Sequence, residues 1–229
     1  MTDDDATARS AAAAAAVELV EPGMTIGLGS GRAVFKLVEM LGERGGVSAA
    51  VASNSTAERA REAGIALVEL DGSVELDLAL DGADEVDPQL RLIKGGGGAM
   101  LRERIVISAA RRFVVVAETP KRVKSLGETH RLPVEVVRFA WRDTRRRLRP
   151  LLPDAALRAS DGEPYTTDEG HYILDCALPP GVDVDALALE LDRMPGVVEH
   201  GLFIGVAERA LLGLPDGGVE VLHASRVEP

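Results

Sequence analysis

Cysteine is nearly absent: of 229 residues only Cys176 is one, set inside an apolar, strand-like run. A lone thiol excludes a disulfide framework and fits a reducing compartment. Basic charge is also short, with 26 Lys and Arg against 37 Asp and Glu and a formal net charge of −11 at pH 7. Nucleic acid and anionic membrane are therefore poor partners, because such binding rests on basic side chains that release counterions. Any anionic ligand must be drawn by a local site. Long hydrophobic runs are missing as well. Residues 11–16 are six alanines, too short and too weakly apolar to span a bilayer, and the opening MTDDDATARS is acidic where a secretory leader is basic. A soluble, cytoplasmic protein is expected. The histidines at 130, 171, 200 and 223 have no metal-ligand spacing and are assigned no chemistry; there is no internal repeat. What is present is an apolar fraction of 46%, enough for one large domain or two small ones.

The chemistry concentrates in residues 76–107, LDLALDGADEVDPQLRLIKGGGGAMLRERIVI. Leu76, Leu78 and Leu80 alternate as in a short strand, which Asp81-Gly82 ends as a turn signal. Asp81 and Asp84 then lie at a strand's carboxyl end, the edge where open α/β sheets bind ligands. A second apolar stretch, residues 90–93, delivers Lys94 and four glycines, Gly95 to Gly98. Without Cβ atoms these let backbone N–H groups approach an anion, and a helix beginning near Ala99 adds its positive end. Glu103 lies one turn into that helix, with apolar Ala99, Val106 and Ile107 as its helical neighbours. Such surroundings desolvate a carboxylate and raise its pKa from roughly 4.3 towards that of a working general base. A solvated surface glutamate is the competing reading. The aspartates at 81, 84 and 87 could equally serve turn chemistry; they lack the Gly and closing Glu of a calcium loop.

A second glycine loop precedes this stretch. Residues 24–26 run as a strand into Gly27-Leu28-Gly29-Ser30-Gly31-Arg32, and Val34, Leu37, Val38 and Leu41 then show helical periodicity. Strand, glycine loop and helix form a phosphate cradle. Arg32 stands where a dinucleotide fingerprint needs its third glycine, the next strand (47–52) ends in Ser53-Asn54-Ser55-Thr56 without an acid, and no Walker Gly-Lys-Ser/Thr follows.

The segments DGADEVD (81–87) and KGGGGAMLRERIV (94–106) together resemble the signature of ribose-5-phosphate isomerase, type A, in which a DGADE and a KGGG(G)A…E segment form the active site. The resemblance extends over nearly the whole chain. It implies an aldose–ketose isomerase that interconverts ribose 5-phosphate and ribulose 5-phosphate through an enediolate, without metal or cofactor. Catalytic residues would be Glu103, Asp81, Asp84 and Lys94. Glu103 would carry the proton between carbons 1 and 2, and Lys94 with the glycine N–H groups would face the enediolate oxygen. Asp81 and Asp84 would hold hydroxyls, with Asp81 also placed to assist ring opening. Substrate contacts would come from Ser30, Gly31, Arg32, Ala33, Gly82, Ala83, Gly95, Gly96, Gly97 and Lys121.

The chain departs from the family in two places. The phosphate loop usually reads G-x-G-T-G-S-T-A, and here Arg32 and Ala33 replace the Ser-Thr pair; Arg32 could grip phosphate bidentately or lie on the helix surface. Lys121 matches the lysine of the usual Asp-x-Ser-Lys, but Glu118 and Pro120 do not match its partners. A small-molecule sugar phosphate is the expected ligand, and the family implies a homo-oligomer, dimer or tetramer. Two other functions stay open. A sugar-phosphate deaminase would need a catalytic histidine near these motifs, and a non-catalytic sugar-phosphate sensor would carry a DNA-binding helix-turn-helix, for which the alanine-rich start leaves no room.

The fold class expected is α/β, a Rossmann-like, mostly parallel sheet flanked by helices, plus a smaller ferredoxin-like α+β domain. Residues 6–20 read as an alanine-rich helix, and Thr56 as the cap of a helix ending at Gly64. The pattern changes at Leu132-Pro133. Strand 134–140, helix 142–152, strand 157–160, strand 172–178, helix 184–194 and strand 197–203 give the order βαββαβ. Residues 204–229 read as a short helix, the turn at 215–218 and a strand at 219–222. The domains are then 1–131 with 204–229, Rossmann-like and catalytic, and 132–203, ferredoxin-like. Arg145-Arg146-Arg147 reads as a solvated or intersubunit helix face.

Overall fold

A computed structural model describes residues 3–224. Its centre is a seven-stranded sheet in the order Val219–His223, Arg209–Gly213, Phe113–Glu118, Leu78–Asp81, Thr25–Leu28, Ser48–Val51, Ala66–Leu67. All neighbours pair parallel except the edge strand Val219–His223, which is antiparallel to Arg209–Gly213. The inner strands are apolar on both faces, as LALD and FVVVAE are, because helices cover the sheet on both sides. On one face Ala12, Ala13 and Ala16 of helix Asp3–Val17 and Val34, Leu37 and Leu41 of helix Arg32–Arg44 pack on Ile26, Leu28, Leu78 and Leu80. On the other, Met100 and Ile107 of helix Met100–Ser108 pack on Ala79, Val115 and Ala117.

From Thr25–Leu28 the chain steps outward through Ser48–Val51 to Ala66–Leu67. It then returns to place Leu78–Asp81 on the other side of Thr25–Leu28. The strand order reverses there, so the loops after these two strands part and leave a crevice at their carboxyl ends. The glycine loop after Leu28 and the aspartate motif meet in that crevice.

A second, four-stranded antiparallel sheet runs Val197–His200, Leu132–Val136, Tyr172–Cys176, Ala155–Leu157. It carries helices Trp141–Leu148 and Val184–Asp192 and has its own core around Leu148, Leu174 and Leu187. The chain order is the βαββαβ read from the sequence. Cys176 is buried here and its thiol is pushed up to about 12 by that burial, which leaves it unreactive. The arginine cluster is a surface face: Arg146 and Arg147 pair with Asp143, and Arg145 donates to the Ala155 carbonyl.

Four local expectations are corrected. Residues 207–212, AERALL, look helical but run into strand Arg209–Gly213, because pairing with Phe113–Glu118 buries Ala210 and Leu212 completely and overrides intrinsic preference. The last five residues of the 204–229 segment lie outside the described residues. Strand 197–203 is two strands, broken at Gly201, where a Cβ would overlap the Lys94 carbonyl. Its second part, Leu202–Phe203, leaves the four-stranded sheet and pairs with Leu92–Ile93, itself paired with Glu85–Val86. The cap of helix Asn54–Glu62 is Ser53, whose Oγ accepts from Thr56 N at 3.1 Å, and not Thr56. The alanine-rich helix stops at Val17, one turn before Pro22.

Candidate active site

The crevice opens into a cleft of about 470 Å3. It is lined by Ser30, Gly31, Arg32, Ala33, Gly82, Ala83, Asp84, Lys94, Gly95, Gly96, Gly97, Glu103 and Lys121. Thirteen of the fourteen residues picked from the sequence are therefore brought together, from segments far apart in the chain. The exception is Asp81.

Asp81 ends strand Leu78–Asp81 and is 1% exposed. One carboxylate oxygen accepts from the N–H groups of Ser30 at 3.2 Å and Gly82 at 2.7 Å; the other meets Lys94 Nζ at 2.7 Å. It thus stands behind Lys94 and is the one expected site residue that does not line the cleft. Gly29 is required beside it, since a Cβ there would overlap the carboxylate. Lys94, 2% exposed, is held from three sides: Asp81, the Gly82 carbonyl at 2.7 Å and Glu103 at 3.2 Å. Burial pulls its pKa down, but the charges of Asp81 and Glu103 outweigh that and hold it above the ordinary lysine value. The lysine is a fixed cation.

Glu103 is 5% exposed at the cleft wall. Burial and the nearby charge of Asp81 raise its pKa to about 8, against the lowering pull of Lys94. Burial likewise raises Asp81, although Lys94 opposes it. Two dry carboxylates share one cation, and the one at the wall is left with a proton affinity close to neutrality. The surface-glutamate reading does not survive this burial.

Asp84 is the carboxylate exposed to the cleft beside the glycine loop. It accepts from Gly96 N at 2.7 Å, and a Cβ on Gly96 would press on it at 2.8 Å. Asp87, in contrast, does turn chemistry: it accepts from Gln89 N and Arg91 N at 2.9 Å and pairs with Arg91 Nε at 2.7 Å. Among the described residues no group of three or more His, Cys, Asp or Glu is arranged to hold a metal ion.

At the phosphate loop, Gly31 takes φ 102° and the helix starts at Arg32, so its first N–H groups face the cleft with the positive end of the helix dipole. Ser30 Oγ is tied to Ser53 Oγ at 3.0 Å, which links the two serine-bearing loops. Arg32 is exposed at the rim, on the cleft side.

Sequence reasoning missed three lining residues, Val116, Glu118 and His130. Glu118 pairs with Arg9 Nε of the first helix at 2.7 Å. His130 Nε2 lies 3.3 Å from Lys121 Nζ, so the ammonium donates and the ring accepts. Its Nδ1 is 2.8 Å from Thr129 Oγ1, whose hydroxyl donates to the buried Glu85. Glu85 also accepts from the N–H groups of Gly127, Thr129 and His130 at 2.5–2.7 Å and so fixes the loop that carries the ring. The only sequence signal was that Glu85 belongs to the aspartate motif; nothing around His130 is periodic.

This fold and cleft define an α/β protein with a buried carboxylate–lysine group at the wall of a polar cleft. Comparison with known proteins narrows the class. The family model of ribose 5-phosphate isomerase A (phosphoriboisomerase A) matches residues 48–217. A ribose-5-phosphate isomerase A of Roseiflexus sp. (strain RS-1) is 52% identical over 228 residues, 96% of this chain and 97% of that protein. The solved ribose 5-phosphate isomerase A of Methanocaldococcus jannaschii superposes with a TM-score of 0.89 at 36% identity, covering 96% of this chain and 99% of that one. A further solved D-ribose-5-phosphate isomerase, in complex with phospho-erythronic acid, gives 0.89 at 33% identity, covering 94% and 97%. The chain belongs to the ribose-5-phosphate isomerase A family.

Proposed function

We propose that the cleft interconverts ribose 5-phosphate and ribulose 5-phosphate through an enediolate, without a metal. The observation that carries this reading is the buried Asp81–Lys94–Glu103 group at the wall of a cleft whose other end is a helix N-terminus with Arg32. The sugar phosphate enters with its phosphate at residues 30–33, where N–H groups and Arg32 meet it. Asp84, the carboxylate on the cleft surface, takes the hydroxyl proton of carbon 1 and delivers it to the ring oxygen as the bond from carbon 1 to that oxygen breaks, which leaves the open-chain aldehyde and an ionised Asp84. Glu103, ionised, then takes the proton from carbon 2, and the carbonyl oxygen on carbon 1 gathers the negative charge. Lys94 and the glycine-loop N–H groups face that oxygen without having to reorganise. The hydroxyl proton of carbon 2 passes to the oxygen on carbon 1, and Glu103 returns its proton to carbon 1, which leaves the ketone. A pKa near 8 suits a base that must both take and return a proton at neutral pH.

His130 gives the deaminase reading a cleft histidine, but the ring is occupied with Lys121 and Thr129. The family match and the full set Asp84, Lys94 and Glu103 favour isomerisation over a sensor, which needs no proton carrier. We take the second sheet, residues 132–203, as a separate domain, and the enzyme as a cytoplasmic homo-oligomer. Among the described residues no helix is long and apolar enough to cross a membrane. The test is conversion of ribose 5-phosphate in excess EDTA: undiminished ribulose 5-phosphate formation is expected, and activity restored only by added divalent cation would overturn the metal-free step.

A further inference from the structure

The glycine tetrad is held from behind by side chains of the four-stranded sheet and its attached hairpin. Arg158 Nη1 donates to the carbonyls of Gly95 and Gly96, both at 3.0 Å, and Tyr165 Oη donates to that of Gly97 at 3.1 Å. Arg158 is itself locked by Asp175 of strand Tyr172–Cys176 through two bonds, Nε to Oδ2 at 2.9 Å and Nη2 to Oδ1 at 2.5 Å. The pair is largely buried, with side chains 15% and 23% exposed. The two clamping residues are also joined through their backbones, since Tyr165 N donates to the Arg158 carbonyl at 2.9 Å.

We propose that Arg158, fixed by Asp175 and seconded by Tyr165, is a positioning residue for the isomerisation: it orients the Gly95–Gly96 and Gly96–Gly97 peptides so that the Gly96 N–H holds Asp84 and the Gly97 N–H serves the reacting end of the substrate. In a trans peptide the C=O and N–H point in opposite directions. Holding the Gly95 carbonyl back therefore aims Gly96 N–H forward, where it grips Asp84 Oδ2 at 2.7 Å. Holding the Gly96 carbonyl back aims Gly97 N–H at the cleft that Gly97 lines. Four glycines in a row otherwise sample many backbone states, and donors that must be reoriented during reaction lose most of their value. A planar guanidinium spans two adjacent carbonyls as a lysine cannot.

The inference rests on the isomerase reading, and the experiment separates the two. Steady-state kinetics with ribose 5-phosphate are measured for the parent, Arg158→Gln, Arg158→Lys and Tyr165→Phe. Dissociation constants are measured alongside for inorganic phosphate and for phospho-erythronic acid, whose planar carboxylate imitates the enediolate. Arg158→Gln is expected to lower kcat by about tenfold or more, the scale of losing aligned donors, with KM changed less than about threefold. Phospho-erythronic acid should weaken in step with kcat/KM while phosphate binding holds. Arg158→Lys should recover part of kcat, and Tyr165→Phe, which removes one surface hydroxyl and keeps the fold, should lose a smaller part. An unchanged kcat in both Arg158→Gln and Tyr165→Phe overturns the proposal, as does equal weakening of phosphate and phospho-erythronic acid. A parent that does not convert ribose 5-phosphate sinks the isomerase reading instead.

Discussion

Glu103 decides what this cleft can do, and its environment fixes how pH acts on it. Its carboxyl is held at about 8, raised first by burial and then by Asp81. A carboxyl raised in the folded state binds its proton more tightly there than in the unfolded chain, so this stability is fully present below the unfolded value near 4.5 and is lost as pH rises through 8. Glu103→Gln removes that linkage. Thermal melts of the two proteins from pH 5 to pH 9 should show the variant gaining on the parent as pH rises; a constant difference would mean that Glu103 is ionised throughout. Arg32 tests the other end of the cleft. Arg32→Ala should raise KM for ribose 5-phosphate severalfold and leave kcat nearly unchanged, because phosphate contact is the same in ground and transition states. An unchanged KM would place Arg32 outside the binding site. Much of this scale was legible in the sequence. Carboxylates, lysine and glycines crowd into thirty residues, and apolar neighbours at helical spacing set burial of Glu103 against a solvated surface position. That Asp81 stands behind Lys94 was not legible, because strand alternation says which face a side chain takes and not how deep a neighbouring side chain covers it.

The elements that shape the site are two glycine loops, each with a steric reason for its composition. At Gly29 the space of a Cβ is filled by Asp81, and at Gly96 it is pressed by Asp84. Gly96→Ala should therefore push Asp84 aside and lower kcat/KM with little loss of melting temperature, since the loop is exposed at that point. An activity equal to the parent's would show that Asp84 does not work from its present position. Sequence patterns located both loops because strand, glycines and helix follow one another closely. They failed at Arg209–Gly213, where AERALL favours a helix and only pairing with a strand ninety-odd residues earlier makes it extended. His130 and Arg158 escaped for the same reason. His130 reaches the cleft, and Arg158 the back of its glycine loop, through a loop or a sheet whose docking no local pattern records.

Across the whole molecule, the crevice exists because the strand order reverses beside Thr25–Leu28, and the second sheet braces its glycine loop through Arg158 on the Gly95 and Gly96 carbonyls and through the link from Leu202–Phe203 to Leu92–Ile93. The βαββαβ order announced that second sheet in the sequence. Its part in shaping the catalytic cleft appears only once Arg158 is seen on the glycine carbonyls. In the proposed reaction a single buried carboxylate, Glu103, moves the proton between carbons 1 and 2. That role is tested most directly by comparing the parent with Glu103→Gln, in EDTA, for ribulose 5-phosphate formation and for exchange of the carbon-2 hydrogen with solvent. Both kcat and exchange are expected to fall by about a thousandfold or more while the variant still binds phospho-erythronic acid, as when the base itself is removed. A variant that keeps either activity within about tenfold of the parent would contradict that role.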